Sequence, residues 1–300
     1  KAKMKSYFPD EAKAIDAYVD LIYKTQKSQR FFFAEKMLPT FLSKLFGNFL
    51  RGKALKGNKT TLEVLSELTS NKKLIAVLTG QFGDYGLPPS QSSFMMHAVL
   101  AKHYMKGACY PVGGSQQIFQ ATAPTILNAG GEIFTNADVK EIIVADNKAT
   151  GVRMVDGKEF FAPVIISDAG IYNTYKHLLP SVKREEHQTE TLFKNINPSV
   201  GHVCLYIGIN ESNEKLKLGK ANYWIFPNNY DHDLNIKKYL ENPDAEIPVV
   251  YISFPSSKDP DWERRFPNKT TIEIITLAPY EWYAPWSDKP WMKRGTDYNA

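Results

Sequence analysis

Side chains able to do chemistry on their own are spread thinly over these 300 residues. The six histidines are His97, His103, His177, His187, His202 and His232, and only the first two are near each other. Six residues apart on a helix, those two lie about 120° out of line, too far round the axis to share a metal ion. The cysteines, Cys109 and Cys204, have no second Cys or His at ligand spacing. They read as free, buried thiols of a reducing compartment, and no metal site is expected. Tyr104, Tyr110 and His103 are the nearest approach to a proton donor, so the catalytic residues stay unassigned. The sequence does offer places where backbone can approach a bound group. Asp168, Ala169 and Gly170 follow a short apolar run, the crevice position at which open α/β sheets hold ligands. Gly113 and Gly114 either mark a similar crossing or simply start a helix. The aromatics Trp224, Phe226, Tyr251, Phe254, Tyr280 and Trp282 either line an apolar cavity or fill a sheet core.

The elements that would position these residues change character along the chain. Residues 10 to 105 read as helical, with Ile15, Val19 and Ile22 on one stripe and Thr60-x-x-Glu63 as a capping box ahead of Leu62, Val64, Leu65 and Leu68. Gly80, Gly83 and Gly86 interrupt that region; their spacing is not the dinucleotide fingerprint and they follow a helix, so 80–89 reads as a loop. A helix after Ser115 carries Pro124 inside it, which predicts a kink, and ends at Gly130-Gly131. Strands are expected at 132–135, 139–144, 151–155 and 159–162, with turns at Asp146-Asn147 and Asp156-Gly157. Val164 to Ser167 reads as a strand buried on both faces, as in a parallel sheet. Four further strands, at 202–209, 223–226, 249–254 and 271–277, read as a mostly antiparallel sheet.

Composition bounds the rest. At 43% hydrophobic, 13% aromatic and 23% charged, the chain is neither disordered, collagen-like nor a disulfide scaffold. No apolar run approaches the roughly 18 residues of a membrane span. The net charge of +5 is unevenly placed: residues 24–59 hold nine Lys or Arg against the single acid Glu35, a local +8 that leaves −3 for the remainder. The same stretch carries Phe31, Phe32, Phe33, Met37, Leu38, Phe41, Leu42, Leu45, Phe46, Phe49 and Leu50, at helical spacing from position 38. It reads either as a core-facing helix with solvated lysines or as a helix lying on an anionic membrane. Its aromatics fall opposite its cations, so no nucleic-acid partner is expected. The location expected is cytoplasmic, with peripheral membrane attachment through 24–59. The chain begins at Lys1 without an apolar signal region and stops after a Trp-rich loop, as a piece of something longer would.

The order of elements in the middle carries a family resemblance. Tyr110-Pro-Val-Gly-Gly-Ser115, Ala129-Gly-Gly-Glu-Ile133, Val139-x-x-Ile142, Gly151-Val152, Asp156-Gly157 and Val164-Ile-Ile-Ser-Asp-Ala-Gly170 resemble the phytoene desaturase and carotenoid isomerase superfamily of FAD-dependent oxidoreductases. His97 through Gly107, Asn173 through Pro180, Tyr251 through Pro255, Lys258-Asp-Pro260 and Ala278 through Trp282 are similar to its all-trans-retinol 13,14-reductase (retinol saturase) branch. The resemblance implies an α/β (α+β) protein: part of a Rossmann-type FAD domain, with a β-meander and a buried parallel strand, joined to a substrate domain of antiparallel sheet and helices. Its segments would be 1–108 (helical part of the substrate domain), 109–172 (partial FAD domain) and 173–300 (substrate domain).

It further implies non-covalent FAD, with NAD(P)H as a reductant. The cofactor would meet Val139, whose strand presents backbone to the adenine, Asp168, Ala169 and Gly170, and Gly113 and Gly114. An apolar polyene or isoprenoid lipid would lie along Tyr104, Trp224, Phe226, Tyr251, Phe254, Tyr280 and Trp282. The activity implied is saturation of one carbon–carbon double bond, with polyene desaturation or cis–trans isomerisation as the family alternatives and a non-catalytic lipid-binding module as the alternative from another class. The family's Gly-x-Gly-x-x-Gly and its C-terminal flavin segment have no counterpart in this sequence. On the family layout the chain corresponds to the middle of such an enzyme, and tight FAD binding or turnover by this piece alone is not expected.

Overall fold

The computed structural model describes residues 1–53, 59–181, 191, 193–194, 200–290 and 293–299. His187 and residues 54–58 of the basic stretch lie outside the described residues. The chain divides into two compact units, one joining 1–117 with 199–300 and one spanning 118–198.

The first unit opens with helices α1 (Ala2–Tyr7), α2 (Ala12–Met37), α3 (Thr40–Lys53), α4 (Thr61–Leu68), α5 (Lys72–Leu78) and α6 (Phe94–Tyr104). The apolar stripe of α2 turns inward at its start: Ile15 and Ile22 are buried, and Tyr18 and Ile22 pack with Val64 and Leu65 of α4, Ile75 of α5, and Phe94 and Ala98 of α6. Each such side chain taken from water contributes on the order of 1.5–3 kcal/mol. Helix α4 starts at the capping box expected from its sequence. Thr60 Oγ1 accepts from the Glu63 amide at 3.2 Å, and Glu63 Oε2 accepts from the Thr60 amide at 2.7 Å. Between α5 and α6 the glycine-rich segment forms a loop with one 3₁₀ turn, Phe82–Asp84.

Helix α7 (Gln116–Asn128), which contains Pro124, leads into the second unit. Gly130 ends it in the left-handed conformation (φ 80°), with its amide and that of Gly131 on the carbonyls of Leu127 and Ile126. Strands β1 (Val139–Ala145), β2 (Lys148–Met154) and β3 (Glu159–Phe161) form an antiparallel meander in that order. Asp146 and Asn147 make the first hairpin turn, both at positive φ as a two-residue turn of the primed type requires.

Two sequence expectations fail in this unit. Residues 132–135 are irregular, and the strand expected at 164–167 does not form. Val164 is 70% exposed and Ile166 is 91% exposed. A parallel strand exists only through its neighbours, and among the described residues none pairs with this run, so the expected buried parallel strand is an exposed extended segment here. A short helix, α8 (Ile171–Asn173), and a π turn over Thr174–Leu178 follow it.

The first unit resumes with β4 (His202–Ile209), β5 (Tyr223–Ile225), α9 (His232–Glu241), β6 (Val250–Ser253), α10 (Pro255–Lys258), α11 (Trp262–Arg265), β7 (Thr270–Leu277) and α12 (Tyr280–Tyr283), with a last turn, α13 (Thr296–Asn299). The strands form one antiparallel sheet in the order β4-β7-β6-β5, as alternation in the sequence predicts. Its core is Phe82 from the loop, Ile236 and Tyr239 from α9, and Val249 and Leu277. The cysteines are free as expected, but both are exposed rather than buried.

Candidate functional site

Register places four side chains in a row across the sheet. Cys204 of β4 pairs with Ile275 of β7, Ile275 with Tyr251 of β6, and Tyr251 with Trp224 of β5. Directly paired residues share a face, so this row forms one surface, continued by His202 opposite Leu277. The rings of Trp224 and Tyr251 are 4.8 Å apart between centroids. Above the row is a cavity of about 430 Å³, walled by these residues together with Gly83, Asp84 and Glu273.

The loop closes on this surface because residue 83 has no side chain. A Cβ there would stand 2.7 Å from Cζ3 of Trp224, inside any real contact distance. The next residue, Asp84, is hydrogen-bonded to Tyr104, and desolvation raises its carboxyl above the ordinary range. Desolvation likewise raises the phenols of Tyr104 and Tyr251.

Tyr85 ties the loop to the helical core. Its hydroxyl lies 3.2 Å from Nδ1 of His97, whose Nε2 lies 2.9 Å from the hydroxyl of Tyr18. His97 is buried, and desolvation alone holds its pKa down at about 4, so the ring is neutral: one nitrogen donates and the other accepts. Burial pushes both phenols up.

A second cavity, of about 400 Å³, shares Trp224 as a wall and is lined further by Phe226, Tyr230, His232 and the end of α5. The Phe226 ring is 4.4 Å from His232, which also packs on Phe82 at 5.2 Å.

The structure brings some of the expected substrate residues together and leaves others apart. Trp224 and Tyr251 line the sheet cavity, Trp224 and Phe226 the second, and Tyr104 reaches Asp84. Phe254 is buried against Tyr223, Trp282 packs on Tyr239, and Tyr280 is exposed on α12. Asp84, His202, Cys204, Glu273 and His232 were not singled out by the sequence. The i, i+2 spacing of His202 with Cys204 and of Glu273 with Ile275 and Leu277 is a signal that could have found these five wall residues; nothing local marks His232.

The expected cofactor positions fall on both units. Val139 begins β1, an edge strand of the meander among the described residues. Gly170 has φ 82° and open space where a Cβ would project, which fits the close approach of a bound group. Asp168 and Ala169 precede it on the exposed segment. Gly113, in the first unit, is engaged otherwise: its amide donates to Oδ1 of Asp259 at 2.9 Å. Asp259 is buried and ion-paired with Arg265. Desolvation opposes its ionisation, but the amides of Gly113 and Asp261 and the guanidinium together hold its carboxyl low. Gly114 follows at φ 84°. Among the described residues no group of His, Cys, Asp and Glu could hold a metal ion.

On the basic hairpin, Phe33, Met37, Phe41, Leu45, Phe46 and Phe49 are exposed, Met37 by 84%. The later part of that stripe therefore faces away from the core. Among the described residues no helix is long and apolar enough to cross a membrane.

No family model matches the chain. The fold is that of an oxidoreductase from Methanosarcina mazei, with a TM-score of 0.55 over 84% of this chain and 55% of that one at 16% identity. In sequence, the chain is homologous over nearly its whole length to all-trans-retinol 13,14-reductases. It is 34% identical to the human enzyme over 316 residues, which are 99% of this chain and 51% of the relative. It is also 34% identical over 171 residues to the neurosporene-forming phytoene desaturase of Rhodobacter capsulatus, covering 56% of this chain and 32% of the relative. The chain thus spans about half the length of the human reductase.

Proposed function

We propose that this chain is the substrate-binding part, with a portion of the cofactor-binding part, of an FAD-dependent oxidoreductase that saturates one carbon–carbon double bond of a retinoid- or carotenoid-like polyene. The observation that carries the reading is the row Cys204, Ile275, Tyr251 and Trp224 along a cavity wall, in a chain related throughout to retinol reductases. A polyene is flat, apolar and polarisable, and a strip of aromatic and aliphatic side chains on a rigid sheet matches it. The unit joining 1–117 with 199–300 is the substrate domain in this reading. In the other unit Val139, Asp168, Ala169 and Gly170 are the positions that would meet FAD, which when bound supplies the hydride. The chain's own residues hold the polyene against the sheet, with Asp84 in the cavity wall.

The test uses the protein carrying this chain, expressed from its complete reading frame, with FAD, a chemical reductant and a polyene, and reads product mass. A gain of two hydrogens is expected. An unchanged mass with a shifted absorption maximum would point to isomerisation, a loss of two hydrogens to desaturation, and no product with intact binding to a non-catalytic lipid-binding module.

A second property is proposed from the hairpin of α2 and α3. Its exposed apolar side chains and surplus of cations support peripheral attachment to an anionic, cytoplasm-facing membrane surface, from which an apolar substrate would be drawn.

A further inference from the structure

We infer that Tyr251 is the catalytic acid of the sheet cavity, giving the proton that completes saturation, and that Ser253 and Lys258 resupply it from solvent. The inference rests on the polyene reading above and adds the proton step that the reading leaves unassigned.

Tyr251 and Ser253 alternate on β6 and so share one face of the sheet, beside Ile275 and Glu273 of β7. Tyr251 is in the cavity wall, and Ser253, next along that face, is only 4% exposed. Pro255 then starts the single turn α10, which brings Lys258 back onto the end of the strand. Its Nζ donates to Ser253 Oγ at 2.6 Å and also to Oδ1 of Asn222. Lys258 is half-buried, so this end of the series reaches water.

The donors run in one direction. An ammonium can only donate, so Ser253 Oγ accepts there and keeps its own proton for the phenol. The hydrogen bond with Ser253 pulls the Tyr251 pKa down, which is the effect of a donor on the phenol oxygen. The phenol oxygen therefore accepts from Ser253, and its own proton is left for the cavity. Desolvation outweighs the serine and keeps that proton in place at neutral pH, with Asp84 of the loop and Glu273 of β7 acting the same way. At Lys258 desolvation favours the neutral amine and Glu273 the ammonium, and desolvation prevails, so this lysine releases a proton more readily than one in water. Tyr104 of α6 is the remaining titratable group close to the phenol. Asp84 is the rival acid in the wall: burial raises it, but the hydrogen bond it takes from Tyr104 favours the carboxylate, which has no proton to give.

Saturation adds a hydride, the part given above to reduced FAD, and a proton. As the hydride joins one carbon of the double bond, the π pair moves to the other carbon and takes the phenol proton: a C–H bond forms and the O–H bond breaks. The phenolate takes the Ser253 proton, Ser253 takes one from Lys258, and the amine is recharged from water.

The experiment uses the protein carrying this chain, expressed from its complete reading frame, with FAD, a chemical reductant and all-trans-retinol as the probe. Product mass gives the rate of gaining two hydrogens, and quenching of tryptophan fluorescence without reductant gives retinol affinity. In Tyr251→Phe the rate should fall by roughly a hundredfold or more while affinity is unchanged. In the unsubstituted protein the rate should fall as pH rises through the Lys258 ammonium, which titrates below the ordinary 10.5, and Lys258→Met should be slower and lose that limb. A Tyr251→Phe protein that keeps its rate overturns the inference and leaves the polyene reading standing. So does one whose affinity falls with its rate, because the phenol then binds and does not protonate. A large loss in Asp84→Asn, with Tyr251→Phe active, hands the step to that carboxyl and overturns the inference too. No gain of two hydrogens by the unsubstituted protein fails the saturation reading itself, and the inference with it. Should Tyr251→Phe not fold, the pH profile of Lys258→Met decides alone, and a limb that persists there overturns the inference.

Discussion

Gly83 lies so close to Trp224 that a methyl group added at its Cα would stand 2.7 Å from the indole Cζ3. The contact joins the loop after α5 to the far edge of the sheet, and it sets where the one side chain shared by both cavities can sit. The clashing atom belongs to a half-buried indole, so Gly83→Ala must push either the loop or the Trp224 ring aside. A destabilisation of about 1–3 kcal/mol is expected from overpacking of this kind. Urea unfolding followed by tryptophan emission reads both effects: a lower midpoint, and a folded-state spectrum shifted to the red as the indole moves toward water. An unchanged native spectrum would mean that Trp224 is not held by the loop.

His97 predicts a pH dependence. Its ordinary pKa is near 6.5 and in the folded chain it is held at about 4 by desolvation. Between those values the unfolded chain binds a proton that the folded chain does not, so stability rises with pH across this window. The contribution is complete above about pH 6.5 and is lost as pH falls toward 4, an effect on the order of 3 kcal/mol. His232, lowered in the same direction, adds to it. In His97→Gln, urea midpoints measured from pH 7 to pH 4.5 should follow a shallower slope. Stability at pH 7 should drop by about 1–3 kcal/mol, because Tyr18 and Tyr85 lose a partner inside the core. Parallel slopes for the two proteins would show that His97 binds its proton alike in the folded and unfolded chains, against the burial argument.

Much of this architecture is legible residue by residue. Alternation in 202–209 and 271–277 marks two strands whose full register is then observed, and Thr60 with Glu63 announces the start of α4. What local pattern cannot supply is the neighbour. Val164 to Ser167 has the composition of a buried strand, yet a strand needs a partner to be one, and Ile166 is exposed here. The site divides in the same way. Trp224 and Tyr251 stand out as strand aromatics, whereas His232 is held in place by the carbonyl of Ala76, 156 positions earlier, which accepts its N–H and leaves the other nitrogen without a partner among the described residues. Chemistry made by contact between distant segments leaves no spacing to read.

Gly151 tests the meander. A Cβ at this β2 position would stand 2.4 Å from the carbonyl oxygen of Phe160, on the neighbouring strand β3. Backbone cannot give way as a flexible side chain can, so Gly151→Ala should separate β3 from β2. The amide of Ala162, bonded to the Thr150 carbonyl at 3.0 Å, should then lose its protection from hydrogen exchange. Helix α6, whose core is in the other unit, should keep its exchange rates. Faster exchange in both places would mean that the two units unfold as one.

The hairpin of α2 and α3 separates a membrane surface from a merely exposed one. Met37, Phe41 and Leu45 are 84%, 70% and 72% exposed, so replacing all three with Ser removes little buried area and should leave the melting temperature nearly unchanged. If the stripe enters a bilayer, sedimentation with vesicles containing anionic lipid should be strong for the native protein and nearly lost in the triple variant. The cations of the stretch, each worth on the order of 1 kcal/mol near such a surface, make the binding weaken as salt is raised. Lys27→Gln with Lys44→Gln should shift the vesicle concentration for half-binding upward by roughly tenfold or more, without abolishing the insertion of the aromatic side chains. Binding that survives loss of the apolar residues but fails in salt would reduce the contact to electrostatics. No binding by the native protein would remove the membrane from the account and leave the stripe to some other partner.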